Sequence, residues 1–207
     1  MNKLSERART FLNKQTRVSS TTDRQKVIEC FNDNDIPCYE PLIRFQEEYS
    51  GYCFSAGTEP IFFGLLQGDS GSYPNTAFIE EQIIRNTTHF KCATSEYQMT
   101  FTLDKFGNYY EDYEIVATSF DKTIEDLALW DEIRNSDNFK ILIRDQKLEV
   151  EKINEILDLV IISEASDIYT SWFKNEFIYM IQKSNMITII TNLTGKELEI
   201  LQKKIGI

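Results

Sequence analysis

The sequence predicts an α+β fold in which a mostly antiparallel sheet is flanked by helices. Three observations carry this prediction. Apolar and polar residues alternate over residues 97–103, which is the two-residue period of a half-buried strand. Turn-forming residues follow at 104–108, so a second strand over residues 109–113 should return along the first as a hairpin. From Phe120 to Trp130, apolar residues then recur at the 3.6-residue period of a helix.

The hairpin and the helix after it should form the heart of this fold. Tyr97 and every second residue up to Leu103 fall on one face, so we expect that face to be buried and the other to be exposed. The short apolar run at residues 115–117 indicates a more buried strand, and Ser119 or its neighbour offers a hydroxyl to cap the helix. Leu129 lies off the apolar side of the helix, so either the C-terminal tail or a partner should cover it.

The chain before the hairpin is predicted to begin with helices. Residues 4–14 carry a modest apolar stripe and belong to a basic helical leader over residues 1–22. A second helix covers residues 23–32, with the hydroxyl-rich stretch at residues 19–22 before it. A third covers residues 41–49, because Pro41 suits the first turn of a helix and Gly51 suits the position just past its end.

Strands and a loop should fill the region between these helices and the hairpin. Residues 52–54 and 61–66 are apolar runs of strand length. Residues 67–75 contain two glycines and a proline and are predicted to be a loop. Residues 77–85 fit either a short helix or a strand.

The C-terminal region, residues 139–207, is predicted to be an extension of the core at residues 23–138. It reads as a strand (139–143), a helix starting near residue 146, three strands (168–173, 177–181 and 186–190) and a last helix. Thr194 and Glu197 have the spacing of a capping box at the start of that helix. The extension is either a second small α+β unit or a continuation of the first sheet.

Charge divides the chain into a basic start and an acidic body. The net charge is -11, yet residues 1–26 contain seven basic and two acidic residues, so the remaining chain carries -16. A body this acidic should repel nucleic acid and attract a basic protein partner. The basic leader lacks interleaved aromatic residues, which favours an ordinary solvated helix over a nucleic-acid or membrane contact.

The sequence predicts a cytoplasmic protein. Its hydrophobic fraction of 42% is enough for a packed core, but no apolar run approaches the roughly 20 residues of a membrane span. The start of the chain lacks the apolar segment of a secretion signal. The four cysteines contain no CxxC pair, which argues against a zinc site and a dense disulfide framework and indicates a reducing compartment.

Few residues have the pattern of a catalytic or cofactor site. Gly68-Asp69-Ser70-Gly71 is similar to the serine loop of chymotrypsin-like proteases, but a serine nucleophile needs a histidine base. The one histidine, His89, follows the serine in the opposite chain order and is predicted to be a strand-edge residue with a single hydrogen bond. Cys53 lies in an apolar strand, so its thiol should be inert. No phosphate-binding glycine loop is present, and we expect no cofactor, no metal and no enzymatic activity.

The returning strand of the hairpin is the strongest candidate for a binding surface. Tyrosines are common anchors at protein interfaces, and carboxylates beside them would steer a basic partner. The alternative is an ordinary strand with one face in the core and the other in water. The residues predicted to bind the partner are Asp104, Tyr109, Tyr110, Glu111, Asp112, Tyr113 and Glu114.

Several of these segments together resemble the SUKH superfamily, which contains yeast cell-wall-synthesis regulators and many bacterial toxin-immunity proteins. The matching segments lie within residues 23–134. They are the helix at residues 27–31, Ile36-Pro37-x-Tyr39 leading to Leu42-Ile43-x-Phe45 and Gly51, Asp104-x-x-Gly107-x-Tyr109, and Ile115-Val116-Ala117-x-Ser119-Phe120 before the helix of Leu127. Residues 139–207 have no counterpart in this pattern.

The resemblance implies a cytoplasmic, non-enzymatic binding module, and in bacteria usually an immunity protein that neutralises a toxin by direct association. An acidic body would suit a basic toxin, because complementary charge raises association rates to about 10⁸–10⁹ M⁻¹s⁻¹ at low salt. The alternatives are a scaffold or regulator of cell-envelope synthesis or signalling with the same fold, and a hydrolase that uses carboxylates.

Overall fold

The structure, a computed structural model, describes residues 4–55, 60–69, 77–95, 99–136 and 138–206. The chain forms two compact units, of which one comprises residues 9–123 and the other residues 1–8 together with 124–207. The sequence predicted divisions after residues 22 and 138, and both of these positions fall inside a unit. Within the described residues, helices and antiparallel strands are present in similar amounts, which confirms the α+β class.

Most elements up to residue 134 belong to the unit of residues 9–123. In chain order they are α1 (Glu6–Asn13), β1 (Thr16–Arg17), α2 (Arg24–Asp33), α3 (Glu40–Tyr49), β2 (Tyr52–Ser55), β3 (Pro60–Phe63), β4 (Leu66–Gln67), β5 (Phe78–Ile79), β6 (Glu81–Ile84), β7 (Thr87–Lys91), β8 (Ala93–Ser95), β9 (Phe101–Asp104), β10 (Tyr109–Glu111), β11 (Glu114–Ala117) and α4 (Phe120–Arg134). The three helices predicted before the hairpin are confirmed. The Asp23 side chain caps α2 by accepting a hydrogen bond from the Lys26 amide.

Two sheets organise this unit. The first has the strand order β1-β2-β3-β8 and the second has the order β11-β10-β9-β7-β6, while β4 and β5 form a separate ribbon. Residues 77–85, which fitted either a helix or a strand, are strands β5 and β6. The predicted hairpin is confirmed as β9–β10, with Tyr109 opposite Leu103 and Glu111 opposite Phe101.

Phe120, the first residue of α4, is the centre of an aromatic cluster. Its ring lies 4.8 Å from Phe45, 4.9 Å from Tyr49 and Phe63, and 5.2 Å from Tyr109, measured between ring centroids. Most of these pairs meet edge to face, the arrangement that aromatic quadrupoles favour. The cluster joins α3, both sheets and the start of α4, so the hairpin and the first turn of α4 lie at the heart of this unit.

A network of hydrogen bonds and ion pairs around Asp121 includes Tyr49 of the same aromatic cluster. The Tyr49 hydroxyl donates to Asp121 Oδ1 at 2.6 Å, and Arg44 Nη2 donates to Asp121 Oδ2 at 2.7 Å and also pairs with Glu48. Burial and the neighbouring Asp121 carboxylate raise the pKa of Tyr49, which therefore stays protonated as a donor.

Strand β9 differs from its predicted pattern. We expected one buried and one exposed face, but all four residues of β9 are buried. Thr102, on the expected exposed face, is 0% exposed, and Asp104, the predicted start of the turn, is 3% exposed. The alternation therefore predicted the strand correctly, but its prediction of an exposed polar face is wrong, because side chains of the neighbouring strands cover that face. Tyr97 lies outside the described residues.

The unit of residues 1–8 and 124–207 has its own sheet. Its further elements are β12 (Lys140–Gln146), α5 (Val150–Leu157), β13 (Val160–Ile161), β14 (Thr170–Lys174), β15 (Ile178–Lys183), β16 (Met186–Thr191) and α6 (Gly195–Ile205), and its strand order is β12-β16-β15-β14-β13. The C-terminal region therefore forms a separate sheet and does not continue the first one. The predicted capping-box bond is wrong, since the Thr194 side chain makes no cap hydrogen bond.

The tail covers Leu129, as one of the two sequence alternatives stated. Leu129 is fully buried in a cluster with Trp172, Ile181 and Ile190. A second cluster packs α5 and α6 on the sheet, with Met180, Ile187 and Ile189 at its centre. The helix predicted to start near residue 146 is α5, which begins at Val150, and Val160 lies beyond it in the short edge strand β13.

Candidate functional site

Asp104 is the organising residue of the β9–β10 turn. Its Oδ1 accepts hydrogen bonds from the amides of Phe106 (2.8 Å) and Asn108 (3.0 Å), and its Oδ2 accepts from Asn108 Nδ2 (2.8 Å) and the Tyr110 hydroxyl (3.1 Å). Gly107 in this turn has φ +86°, and a Cβ there would lie 2.8 Å from Pro41 Cβ. Asp104, predicted as a partner-binding residue, thus has an internal structural role and offers almost no surface.

Tyr109 is also internal. It is 1% exposed and packs against Phe120. Burial, and then the charge of Glu111, raises the pKa of Tyr109 well above its usual value. In this conformation Tyr109 has no area to offer a partner, so two of the seven predicted binding residues are buried.

Tyr110 covers the chain's one histidine. The two rings are 4.6 Å apart and meet edge to face. His89 Nδ1 and Thr102 Oγ1 are 3.0 Å apart, and His89 is 3% exposed. The prediction that His89 lies at a sheet edge is wrong, because β7 lies between β6 and β9. Burial lowers the pKa of His89, and the nearby Asp104 carboxylate opposes this effect.

Four consecutive residues form the end of the β10–β11 hairpin, and we call Glu111, Asp112, Tyr113 and Glu114 the hairpin tip. The sequence extended one strand to Tyr113, but Asp112 and Tyr113 form a tight turn with φ +47° and +65°. Left-handed backbone at both turn positions is the type I′ geometry that usually requires Asn-Gly. Tyrosine there is an outlier, because its Cβ meets the following carbonyl.

Neighbouring strands hold this unfavourable turn in place. Asp112 Oδ1 accepts from the Thr100 amide at 2.9 Å, and the Asp112 amide donates to the Thr100 carbonyl at 2.8 Å. The Tyr113 hydroxyl donates to Gln82 Oε1 at 3.0 Å, and its ring lies 5.9 Å from His89. Tyr113 is therefore a half-buried, fixed ring at the surface.

The carboxylates of the hairpin tip differ in exposure. Asp112 and Glu114 are exposed, whereas Glu111 is half-buried. Glu114 lies 3.8 Å from Arg85, and both side chains are about four-fifths exposed (78% and 81%), so this pair adds little stability. The structure thus brings Tyr110, Tyr113, Asp112 and Glu114 to one end of the hairpin.

An open cleft of about 300 Å³ lies beside the hairpin tip. Tyr113 forms one wall, and the lining also includes Glu80, Gln82, Lys91, Met99 and Thr100. Lys91 Nζ pairs with Glu80 Oε2 at 3.1 Å, and both side chains are partly exposed. Sequence analysis did not identify this cleft. No pattern in the sequence signals it, because its residues come from strands that are distant along the chain.

The other sequence candidates for chemistry show no catalytic arrangement among the described residues. Ser70 and Gly71 lie outside them, and Asp69 accepts hydrogen bonds from the Thr21 amide and hydroxyl. Burial raises the pKa of the Cys53 thiol, as predicted. No three His, Cys, Asp or Glu side chains in the described ranges are placed to share a metal ion.

The chain was compared with models of protein families, with curated proteins and with solved structures, and none of the three comparisons gives a match. None of the helices in the described residues is both long and apolar enough to cross a membrane.

Proposed function

We propose that the chain is a non-enzymatic, cytoplasmic immunity protein that neutralises a basic toxin by binding it directly. The hairpin tip is the proposed contact surface. The single observation that carries the proposal is the presentation of a fixed Tyr113 between the exposed carboxylates of Asp112 and Glu114. A rigid aromatic anchor loses little conformational entropy on binding, and flanking carboxylates select a cationic partner.

Charge and compartment also support this proposal. The net charge of -11 gives a negative field that would steer a basic protein towards the surface. The four cysteines form no disulfides with one another, and burial raises the pKa of Cys30 and Cys92, which suits a reducing cytoplasm. The resemblance to the SUKH superfamily supplies the role of toxin neutralisation.

Co-expression tests this function. The candidate toxin is the product of the reading frame next to the gene of this chain, expressed in a host that it poisons. Wild-type chain should restore growth, and the purified pair should bind more weakly as salt rises from 50 to about 300 mM, because the Debye length shortens. The double variant Asp112→Asn/Glu114→Lys should lose rescue, since it removes one exposed charge beside Tyr113 and reverses the other, while the amide oxygen still accepts from the Thr100 amide.

A matched variant separates the local effect from net charge. Asp158 is exposed and has φ +50°, close to the φ +47° of Asp112, but it caps α5 in the other unit. Asp158→Asn combined with Glu155→Lys should rescue growth as well as wild type does. Absence of rescue by the wild-type chain, or equal loss of rescue in both double variants, would contradict the proposed surface.

A further inference from the structure

The geometry points to a specific role for the cleft beside the hairpin tip: it is a socket for one arginine side chain of the basic partner. This inference rests on the proposed function and adds the chemistry of recognition. A guanidinium carries five N–H donors in one plane and accepts no hydrogen bonds. A socket for it should therefore offer oxygen acceptors, a negative charge, an aromatic face and room for a long side chain.

The lining of the cleft has these properties. Glu80 supplies a partly exposed carboxylate, and Gln82 and Thr100 supply further oxygen atoms. Tyr113 supplies the aromatic wall, over which a guanidinium stacks more favourably than an ammonium. Met99, which is 44% exposed, provides an apolar surface for the methylene groups of an arginine.

The cleft is already arranged for this contact. Gln82 accepts a hydrogen bond from the Tyr113 hydroxyl, His89 meets the Tyr113 ring edge to face at 5.9 Å, and Asp112 accepts from the Thr100 amide. The lining volume of about 300 Å³ is at the lower limit of small-molecule sites and fits a single anchoring side chain. These contacts with Thr100, Gln82 and His89 hold the strained turn, and with it this wall, in position.

Lys91 is the one cation among the described residues that line the cleft. Because Glu80 and Lys91 carry opposite charges, the inference predicts opposite changes in affinity when each charge is removed. The Lys91 ammonium group neutralises Glu80 in the free chain. An incoming arginine would share Glu80 and be repelled by Lys91. Removing the carboxylate should thus weaken binding, whereas removing the ammonium group should strengthen it. A site for an anion would show the reverse of both effects.

The probes are an arginine hexapeptide and a lysine hexapeptide of equal charge, measured by calorimetry at low salt with the full chain. We expect the arginine peptide to bind at least about threefold more tightly than the lysine peptide. A planar guanidinium can stack on an aromatic ring and also donate two parallel hydrogen bonds to a carboxylate, whereas an ammonium group cannot. Glu80→Gln should weaken arginine-peptide binding about fivefold, and Lys91→Gln should tighten it about twofold. Both side chains are partly exposed, so neither variant should disturb the fold.

Two controls complete the series. Glu40→Gln removes the same charge from another exposed ion pair of this unit, with Arg24, and should change binding by less than about twofold. Tyr113→Leu places another bulky side chain at this left-handed position and removes the aromatic face, so the preference for arginine over lysine should disappear. The ratio of the affinities for the two peptides remains informative even if Tyr113→Leu weakens the binding of both.

Tighter binding by Glu80→Gln together with weaker binding by Lys91→Gln would overturn the socket in favour of an anion site. Equal responses of Glu80→Gln and Glu40→Gln would overturn it in favour of general charge attraction. These outcomes are distinct from failure of the proposed function. A chain that prefers arginine peptides as described but rescues no poisoned cell keeps the socket and loses the toxin-neutralising role, and the reverse pattern keeps the role and loses the socket.

Discussion

Two polar residues of the hairpin region, Asp104 and His89, are buried and contribute to the stability of the fold. Asp104 alone accepts four hydrogen bonds, two of them from backbone amides. Burial lowers the pKa of His89, and the Tyr110 ring covers it. Both residues lie under the surface that the proposed partner would contact, so substitutions there should act on stability before they act on binding.

Removal of the Asp104 carboxylate should destabilise the turn strongly. Asp104→Ala leaves the Phe106 and Asn108 amides without their acceptor, and we expect a loss of about 2–4 kcal/mol in the free energy of unfolding. Asp104→Asn keeps one acceptor oxygen and should cost less. Urea unfolding followed by circular dichroism measures both. Equal and small effects of the two variants would show that water replaces the carboxylate.

The protonation of His89 should make stability depend on pH. Its pKa is lowered in the folded chain, so below pH 6.5 the unfolded chain binds more protons than the folded one. The contribution to stability is thus fully present above about pH 6.5 and is lost as pH falls from there through the folded pKa.

The chain has a single histidine, so its imidazole signal in proton NMR titrates without overlap, and the midpoint should lie below 6.5. His89→Gln should remove the step in the free energy of unfolding near this pH. A midpoint above 6.5 would mean that Asp104 dominates over burial.

At the scale of elements, the first turn of α1 is held by a buried acceptor on α4. Glu125 is 2% exposed and accepts from the Ser5 amide (2.6 Å), the Ser5 hydroxyl (2.7 Å) and Arg7 Nη2 (3.0 Å). The Ser5 hydroxyl in turn accepts from the Ala8 amide, which caps the helix. A chain terminus without such bonds would fray.

Glu125→Ala should therefore detach the start of α1. It leaves a partly buried arginine unpaired, and we expect a loss of about 3 kcal/mol in the free energy of unfolding. Hydrogen exchange should show faster exchange at the amides of residues 5–8. Arg24→Ala, which breaks an exposed pair with Glu40, is the matched control and should leave these amides unchanged. Unchanged exchange in Glu125→Ala would contradict the anchoring role.

The edge strands of the C-terminal sheet are protected from pairing with other chains. β12 contains two register irregularities, and Asp145 within it has φ +48°. Lys140 and Arg144 are exposed along the same strand. Bulges and charges at an edge disfavour further strand addition. The opposite edge strand, β13, is only two residues long and exposes Val160 and Ile161.

At the scale of the whole molecule, the excess of acidic residues should make stability depend on salt. A net charge of -11 destabilises the compact state by self-repulsion, while the ion pair of Arg44 with Asp121 is partly buried and weakly screened. Raising sodium chloride from 10 to 200 mM should therefore raise the urea midpoint. A fall in the midpoint would show that surface ion pairs outweigh the net repulsion.

Sequence analysis predicted the regular parts of this molecule and the turn at residues 104–108, but not the Asp112–Tyr113 turn or the cleft. The hairpin and α4 follow from periodicity that packing reinforces. The Asp112–Tyr113 turn could not be predicted, because tyrosine disfavours left-handed backbone. Contacts with Thr100, Gln82 and His89, which lie elsewhere in the chain, stabilise this turn. Thr102 was predicted to be exposed because a polar residue on a strand usually is.

The candidate site was predictable to a similar extent. Tyrosines and carboxylates in one short stretch indicated the hairpin tip, of which Asp112, Tyr113 and Glu114 do reach the surface. Asp104 and Tyr109 belong to the same stretch, but the pleat of the strand and the turn direct them inward. Glu80 and Lys91 could not be connected with Tyr113 from sequence, since only the sheet brings them together.

The placement of Trp130 and Trp172 has a practical consequence for spectroscopy. These are the only two indoles of the chain, their rings are 5.5 Å apart, and Trp172 Nε1 donates to Asp126 at 2.7 Å. Both belong to the unit of residues 124–207, so intrinsic emission on excitation near 295 nm reports on that unit alone. Comparing its denaturation curve with the imidazole resonance of the other unit would reveal whether the two units melt in one cooperative step or in two.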